Sequence, residues 1–397
     1  MKRIDYKHTV IACFIGYMVQ AIVCNFAPLL FVSWANEFNI SLTQLTAVVT
    51  LTFLTQIAID LLSAKFADKI GYKNCLFIAH LASGLGFLLL AILPYAMSNA
   101  FAGIVIAVVF YSVGSGLLEV LVSPVVEACP TENKTGAMSL LHSFYCWGTV
   151  GVIGISTLFF VLFGRDNWRY LSVIWAVFAI LNGIFFCLVP IKEPEAENKK
   201  EKSIPLFKNK IFIIAIVLML CAGAAELAMS QWVSAFAETA LHVSKTVGDL
   251  AGPMAFAVLM GTGRVMFSRL SKHIKIEHYI FASAVLCILS YLIACLSPNA
   301  VLSLVGCALC GLSVSAMWPG TISLSTKAMP NLSTAMFAFL AVAGDIGCTA
   351  GPSLIGWITD SLGGDLKKGL IFAIIFPIMI IIALFVLNKI QKKKGLG

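Results

Sequence analysis

The sequence is poor in charge. Only 12 % of its 397 residues are Asp, Glu, Lys or Arg, and 60 % are hydrophobic. Soluble domains carry about 25 % charged residues, and disordered chains need high charge with low hydrophobicity, so both classes are excluded. Long polar stretches are also lacking. The longest, Lys192–Lys202, is far too short for the nucleotide domain of an ATP-driven pump. There is no GxSxG, HExxH or phosphate-binding loop, so no enzyme, metal or cofactor is expected. Ten-residue alternating segments are absent, which excludes a membrane β-barrel. No basic patch interleaves with aromatics, so the net charge of +8 is not read as nucleic-acid binding. A cleavable signal is not expected either, because the apolar run after Lys2, Arg3 and Lys7 is too long for one.

What the chain does have is apolar runs from end to end. Twelve candidate spans fall near 9–33, 43–66, 73–94, 99–127, 135–163, 167–190, 208–237, 245–268, 278–296, 300–326, 333–360 and 368–389. A run of about 20 helical residues crosses a 30 Å hydrocarbon core. The fold class is therefore all-α: a polytopic membrane protein whose partner is the lipid bilayer, expected as a monomer. With both termini in the cytoplasm, 22 Lys and Arg fall on the inside. Only Arg165, Arg169, Lys245, Lys367 and Lys368 fall outside. That bias supports multi-pass insertion in the cytoplasmic membrane. The 12 cysteines mostly lie within apolar runs and read as small buried hydrophobes, the Cys307/Cys310 pair included.

The polar segment near the midpoint divides the chain into a bundle over 1–191, a cytoplasmic linker over 192–207 and a second bundle over 208–397. The two halves look related. Gly116-Leu117 precedes Pro124 as Gly311-Leu312 precedes Pro319, and Ala137-Met138 opens span 5 as Ala335-Met336 opens span 11. Two pseudo-symmetric six-helix bundles of this kind place a substrate site near the membrane midplane, where the repeats meet.

Four acids lie well within spans: Asp60, Glu119, Glu226 and Asp345. Each costs about 2.5–3.5 kcal/mol to insert at a helix centre, so each needs a reason to be there. Glu119 shares a helical face with Ser112, Ser115, Ser123 and Glu127, a stripe suited to a wet cavity and to a residue that takes and releases a proton. The plain alternative is a carboxyl hydrogen-bonded between helices. Glu226 shares its face with Gly223, Ser230 and Ser234, and Gln231 and Trp232 follow it. Acid, amide and indole suit a polyhydroxylated solute, whose hydroxyls pair with carboxylates and whose C–H faces stack on rings. Asp345 lies between Gly344 and Gly347, glycines that admit a close neighbour, either a ligand or a packed helix.

Further candidate solute-binding residues are His142 and Trp147 in span 5, Gln20 and Asn25 in span 1, and Trp318 beside Pro319. A proline frees a backbone carbonyl one turn earlier, a break tolerated at depth only where protein or water re-satisfies it. Asp60 and Asp68 lie eight residues apart, as do Arg264 and Lys272 in the second half. The spacing suggests an inward-closing gate in which Asp60 and Asp68 face Arg264.

The segment Ala64-Lys65-Phe66-Ala67-Asp68-Lys69-Ile70-Gly71-Tyr72-Lys73 resembles the loop 2–3 motif of the major facilitator superfamily, G-x-x-x-D-R-x-G-R-K. Gly263-Arg264 and Ser268 through Lys275 resemble its loop 8–9 copy, with Lys272 where an Asp is common. A finer resemblance is to the fucose and hexose proton symporters. Gly114-Ser115-Gly116-Leu117-Leu118-Glu119 with Ser123-Pro124 is similar to their G-x-G-x-L-E-T-x-x-N-P. Leu141 through Tyr145 with Gly148 is similar to Q-S-F-x-x-x-G, Gly223 through Glu226 to a G-A-E segment, and Gly311 through Pro319 to G-x-x-x-S-x-M-x-P. The chain departs from that family at Val23-Cys24-Asn25-Phe26, where an acid often follows the asparagine, and at Ser123, where the family has Asn.

This resemblance implies a twelve-helix secondary transporter working by alternating access, taking up a small sugar-like solute with H+. Glu119 would carry the proton, with the second-half residues facing the solute. Two other readings are an efflux antiporter for amphipathic drugs and a transport-inactive sensor.

Overall fold

The computed structural model describes residues 5–192, 206–233, 236–237, 245–329 and 334–393. Among these residues there are helices and turns and no strand. Helices α1 (Tyr6–Phe38), α2 (Leu42–Ile70), α3 (Tyr72–Ala96), α4 (Ala100–Ala128), α5 (Lys134–Phe163) and α6 (Trp168–Leu188) form the first half. The second half holds α7 (Lys210–Ser230), α8 (Lys245–Leu270), α9 (Ile276–Leu296), α10 (Ala300–Val314), α11 (Met317–Ala328), α12 (Thr334–Ser361), α13 (Leu366–Ile371) and α14 (Ile375–Lys393). Eleven helical segments among the described residues are long and apolar enough to cross a membrane, with α10–α11 and α13–α14 each counted as one. Helix α8 is 26 residues long and carries Lys245, Asp249, Arg264 and Arg269. Apart from Lys192, Leu206 and Phe207, the expected linker lies outside the described residues.

Local chemistry explains the helix ends. Asp5 and His8 close a capping box on α1, and Ser41 and Gln44 close another on α2. Asn99, Asn299 and Asp365 accept backbone N–H bonds at the starts of α4, α10 and α13. Between α2 and α3 the chain turns through Gly71 at φ 87°, a left-handed conformation that a side chain would strain.

The contacts divide the chain into two compact units. The first contains Met1–Thr131, Phe144–Ala196 and Ser333–Ala338; the second contains Glu132–Ser143, Glu197–Leu332 and Phe339–Gly397. The inner turns of α5 thus count with the second unit and the first turn of α12 with the first. The core of the first unit is aromatic, built on Phe26, Trp34, Phe87, Tyr111 and Trp168. The second unit buries Phe212, Phe267 and Tyr291 completely. Large apolar side chains also face outward, among them Val161, Leu181, Val301, Trp357 and Phe385. A helix apolar all round belongs in lipid, and these side chains are the surface that the hydrocarbon covers.

The internal repeat is visible in the packing. A Cβ on Gly116 would lie 3.1 Å from the Gln56 carbonyl oxygen, so α4 meets α2 there; a Cβ on Gly311 would lie 2.3 Å from the Phe256 oxygen, so α10 meets α8. The equivalent prolines behave differently. Helix α4 runs unbroken through Pro124, whereas the helix containing Pro319 breaks at Ser315–Ala316 into α10 and α11.

Candidate functional site

In the first unit the polar cluster is built on Glu119. Gln20 Nε2 donates to its Oε2 at 2.9 Å, and Gln56 Nε2 donates to the same oxygen at 3.3 Å. Gln56 also donates to Ser115 Oγ at 3.1 Å. Three helices, α1, α2 and α4, therefore converge on one carboxyl group, brought within reach by the small Gly116 at the α2–α4 contact. Hydrogen bonds to an ionised acceptor are roughly twice as strong as neutral ones, so two amide donors hold the carboxylate effectively. Ser123, on the same stripe, bonds Tyr17 Oη at 2.8 Å. Asn25 lies one turn from the cluster and donates to Ala21 O and to Thr149 Oγ1. Trp147 is half-buried in the same unit.

The polar cluster of the second unit is built on Arg264, which is 3 % exposed inside α8. Its Nη2 pairs with Glu226 Oε2 at 3.3 Å, its Nη1 donates to His142 O at 2.9 Å, and its Nε donates to Ser315 O at 3.2 Å. The last contact has a specific cause. In a continuous helix Ser315 O would accept the N–H of residue 319, but residue 319 is proline and has none. The guanidinium supplies the missing donor at the α10–α11 break. Ser139 Oγ in turn donates to Arg264 O at 2.6 Å, and Asn133 Nδ2 donates to Ser268 O at 3.2 Å. The inner turns of α5 are thereby stitched to α8.

The remaining second-unit candidates gather near the α7–α12 contact. Here the backbones approach closely: a Cβ on Gly347 would lie 2.0 Å from Leu220 O, and one on Gly223 would lie 2.4 Å from Gly344 O. The half-buried Trp318 lies over Gly344, and Asp345 is 3 % exposed beside it. Trp232 Nε1 donates to Pro352 O at 3.1 Å. The Gln231 side chain is exposed, and Ser234 lies outside the described residues.

Of the residues expected to form a gate, Asp68 has identifiable partners. Asp68 accepts a hydrogen bond from Thr334 Oγ1, and Tyr72 Oη bonds the same hydroxyl at 2.6 Å, all within the first unit. Tyr72, like Ala64, is a position at which the loop 2–3 segment departs from its motif, and its phenol finds a use there. Asp60 is fully buried. Among the described contacts, Arg264 pairs with Glu226 of its own unit.

Several polar contacts have no counterpart in the sequence reading. His80 bonds Leu76 O at 2.7 Å and the Asn182 amide at 2.8 Å, and Asn182 also donates to Ala12 O, tying α3, α6 and α1. Near the far end of the same unit Glu37 accepts from Tyr95 and from Trp168 Nε1, while the Arg169 guanidinium lies 4.0 Å over the Tyr95 ring. A lone His, Asn or Glu within or near a span end is the only one-dimensional signal of either cluster.

The family model described as Major Facilitator Superfamily matches residues 9–352. The chain belongs to this superfamily. Among curated relatives, "Membrane protein MosC" of Rhizobium meliloti is 23 % identical over 274 residues, 69 % of this chain. The match spans 65 % of that relative's length. Among solved structures, the superfamily transporter FucP in its outward conformation superimposes with a TM-score of 0.80 at 15 % identity, covering 95 % of this chain and 98 % of FucP. The proton:xylose symporter XylE superimposes with a TM-score of 0.79 at 12 % identity, covering 96 % and 95 %. At such identities the likeness is one of fold. This superfamily member is thus an all-α, multi-pass membrane protein built on the transporter fold.

Proposed function

We propose that this protein is a secondary transporter that takes up a sugar together with H+ by alternating access. It acts as a monomer in the cytoplasmic membrane with both termini inside, and it has no enzymatic activity or cofactor. The observation that carries the reading is the Glu119 carboxyl at membrane depth, gripped by the Gln20 and Gln56 amides from two other helices. A carboxylate so placed exchanges a proton only when those donors rearrange, which ties protonation to helix movement. Two fold neighbours support the choice of cargo. One, FucP of E. coli, is a fucose:proton symporter, and the other is a proton:xylose symporter.

In this reading the candidate solute contacts are Gln20, Asn25, His142, Trp147, Glu226, Gln231, Trp232, Trp318 and Asp345. Arg264 holds Glu226 in place and fills the donor gap left by Pro319; Asp60 and Asp68 belong to the gating apparatus. The test is uptake of labelled L-fucose, D-xylose, D-glucose and D-galactose with and without a proton-collapsing agent. At least one sugar should accumulate, and the uncoupler should abolish its accumulation. Glu119→Gln should lose accumulation and keep counterflow. Accumulation that survives in Glu119→Gln removes Glu119 from the coupling role. Drug accumulation in everted vesicles, with no sugar uptake, would replace the whole reading with efflux.

A further inference from the structure

Helix α2 presents a row of exposed side chains for which the transport reading above has no use. Leu54 is 59 % exposed and Leu61 is 47 % exposed, with the exposed Ala58 between them. Lys65 and Lys69, both exposed, continue the row toward the inner end of the helix. At 3.6 residues per turn these five side chains fall within about a quarter of the helix circumference. The polar residues Gln56, Asp60 and Ser63 are buried and lie on the opposite side.

The two lysines stand one helical turn apart and converge on one ring. Lys65 Nζ lies 5.3 Å from the Phe66 ring centroid, and Lys69 Nζ lies 6.0 Å from it. Like charges at this spacing repel, and the π face of a partly exposed ring offsets only part of that repulsion. Among the described residues neither ammonium group makes an ion pair. The neighbouring charges are engaged elsewhere. Asp68 accepts a hydrogen bond from Thr334 Oγ1, and Lys73 Nζ donates to Val189 O at 3.5 Å. An anion placed between Lys65 and Lys69 therefore meets two positive charges with no carboxylate competing for them.

The apolar part of the row fixes what kind of anion fits. From Leu54 to Lys65 the helix rises about 16 Å, and one leaflet supplies about 15 Å of the 30 Å hydrocarbon core. An acyl chain laid along Leu61, Ala58 and Leu54 thus reaches from the level of the lysines to the bilayer midplane. A free phosphate would use the lysines and leave the apolar row idle. We infer that this face of α2 binds an anionic phospholipid, with its phosphate between Lys65 and Lys69 and an acyl chain along Leu61, Ala58 and Leu54. In the orientation proposed above, this end of α2 meets the cytoplasmic leaflet, whose negative surface attracts basic segments. The site does not depend on which solute the protein carries.

The experiment is native mass spectrometry of the full chain, released from detergent, with phosphatidylglycerol or phosphatidylcholine added. A lysine at the membrane surface favours anionic lipid about fivefold, so the pair should give a preference for phosphatidylglycerol of about 25-fold at low salt. Each single variant, Lys65→Gln or Lys69→Gln, should lose about fivefold of it, and the double variant should lose nearly all. The charge-keeping pair Lys65→Arg with Lys69→Arg should retain it. Lys272→Gln with Lys275→Gln removes two exposed lysines elsewhere and should leave it intact. Raised salt should shrink the wild-type preference, a reading that stands even if the Gln variants misfold. A preference that survives the Lys65/Lys69 double variant overturns the site. Equal loss in the Lys272/Lys275 pair also overturns it, since net charge alone then accounts for the binding. Displacement of phosphatidylglycerol by glycerol phosphate at equal concentration would show a soluble-phosphate site and would likewise overturn the assignment to lipid.

Discussion

Replacing Arg264 by Met strands two acceptors at once, the Glu226 carboxylate and Ser315 O, whereas His142 O keeps its place in the unbroken helix α5. The Glu226 side chain is 11 % exposed, so water repairs little of the damage. Removing one partner of a buried ion pair costs about 3–5 kcal/mol, because the other charge remains. The stranded Ser315 carbonyl adds about 1 kcal/mol or more. The single variant should therefore lose at least about 4 kcal/mol of stability. Removing both charges, in Arg264→Met with Glu226→Gln, should restore about 2–3 kcal/mol of that loss, since no buried charge is left unpaired. Pro319→Ala makes an independent cross-check. It returns an N–H to the helix, and in the Arg264→Met background it should recover about 1 kcal/mol by rejoining Ser315 O to a donor. Reversible unfolding in mixed detergent, followed by intrinsic fluorescence, measures all four variants in one double-mutant framework. A loss under about 1 kcal/mol for Arg264→Met, or no recovery with Glu226→Gln, would refute the claim that this guanidinium organises the second unit.

Two other predictions concern packing and capping. Gly347→Ala places a methyl group 2.0 Å from Leu220 O, and backbone cannot yield as a side chain can, so a loss of about 3 kcal/mol or more is expected in the same unfolding assay. Gly151→Ala, where nothing lies within 4 Å of the added carbon, should be neutral or slightly stabilising. Asp365, outside the membrane, accepts the Lys368 and Lys367 backbone N–H groups at the start of α13 and pairs with the Lys368 ammonium; these contacts hold its carboxyl below the ordinary aspartate value of 3.8. A native value below the unfolded one means that the protection it confers is present above about pH 4 and fades as pH falls through the native value. Hydrogen exchange of the first α13 amides should therefore accelerate in acid in the wild type. In Asp365→Ala it should already be fast at neutral pH, with a much flatter dependence once intrinsic rates are divided out.

Chain composition and periodicity were enough to establish the membrane class and the helical architecture. Hydropathy is a sum over neighbours in sequence, and a helix in lipid must satisfy its own backbone, so runs of about 20 apolar residues specify spans without reference to anything else. The same logic flagged the four acids within spans, since a carboxyl at depth stands out against its own helix. The matched glycine–proline intervals of spans 4 and 10 were likewise visible, and the close approaches at Gly116 and Gly311 give them a packing reason.

Which group meets which acid was decided only in three dimensions. Gln56 falls on the Asp60 face when α2 is considered alone, yet its amide reaches Glu119, because partnership depends on the rotation and depth of α2 against α4. Arg264 counts as a loop base when its helix is judged by charge, yet it is buried, paired with Glu226 and bonded to the carbonyl that Pro319 leaves bare. Glu119 and Asp345 look equivalent along the chain, two lone acids in apolar helices. Their surroundings differ because donors reach Glu119 from two neighbouring helices and none reaches Asp345 Oδ2, and no one-dimensional pattern encodes which neighbour a helix face will find.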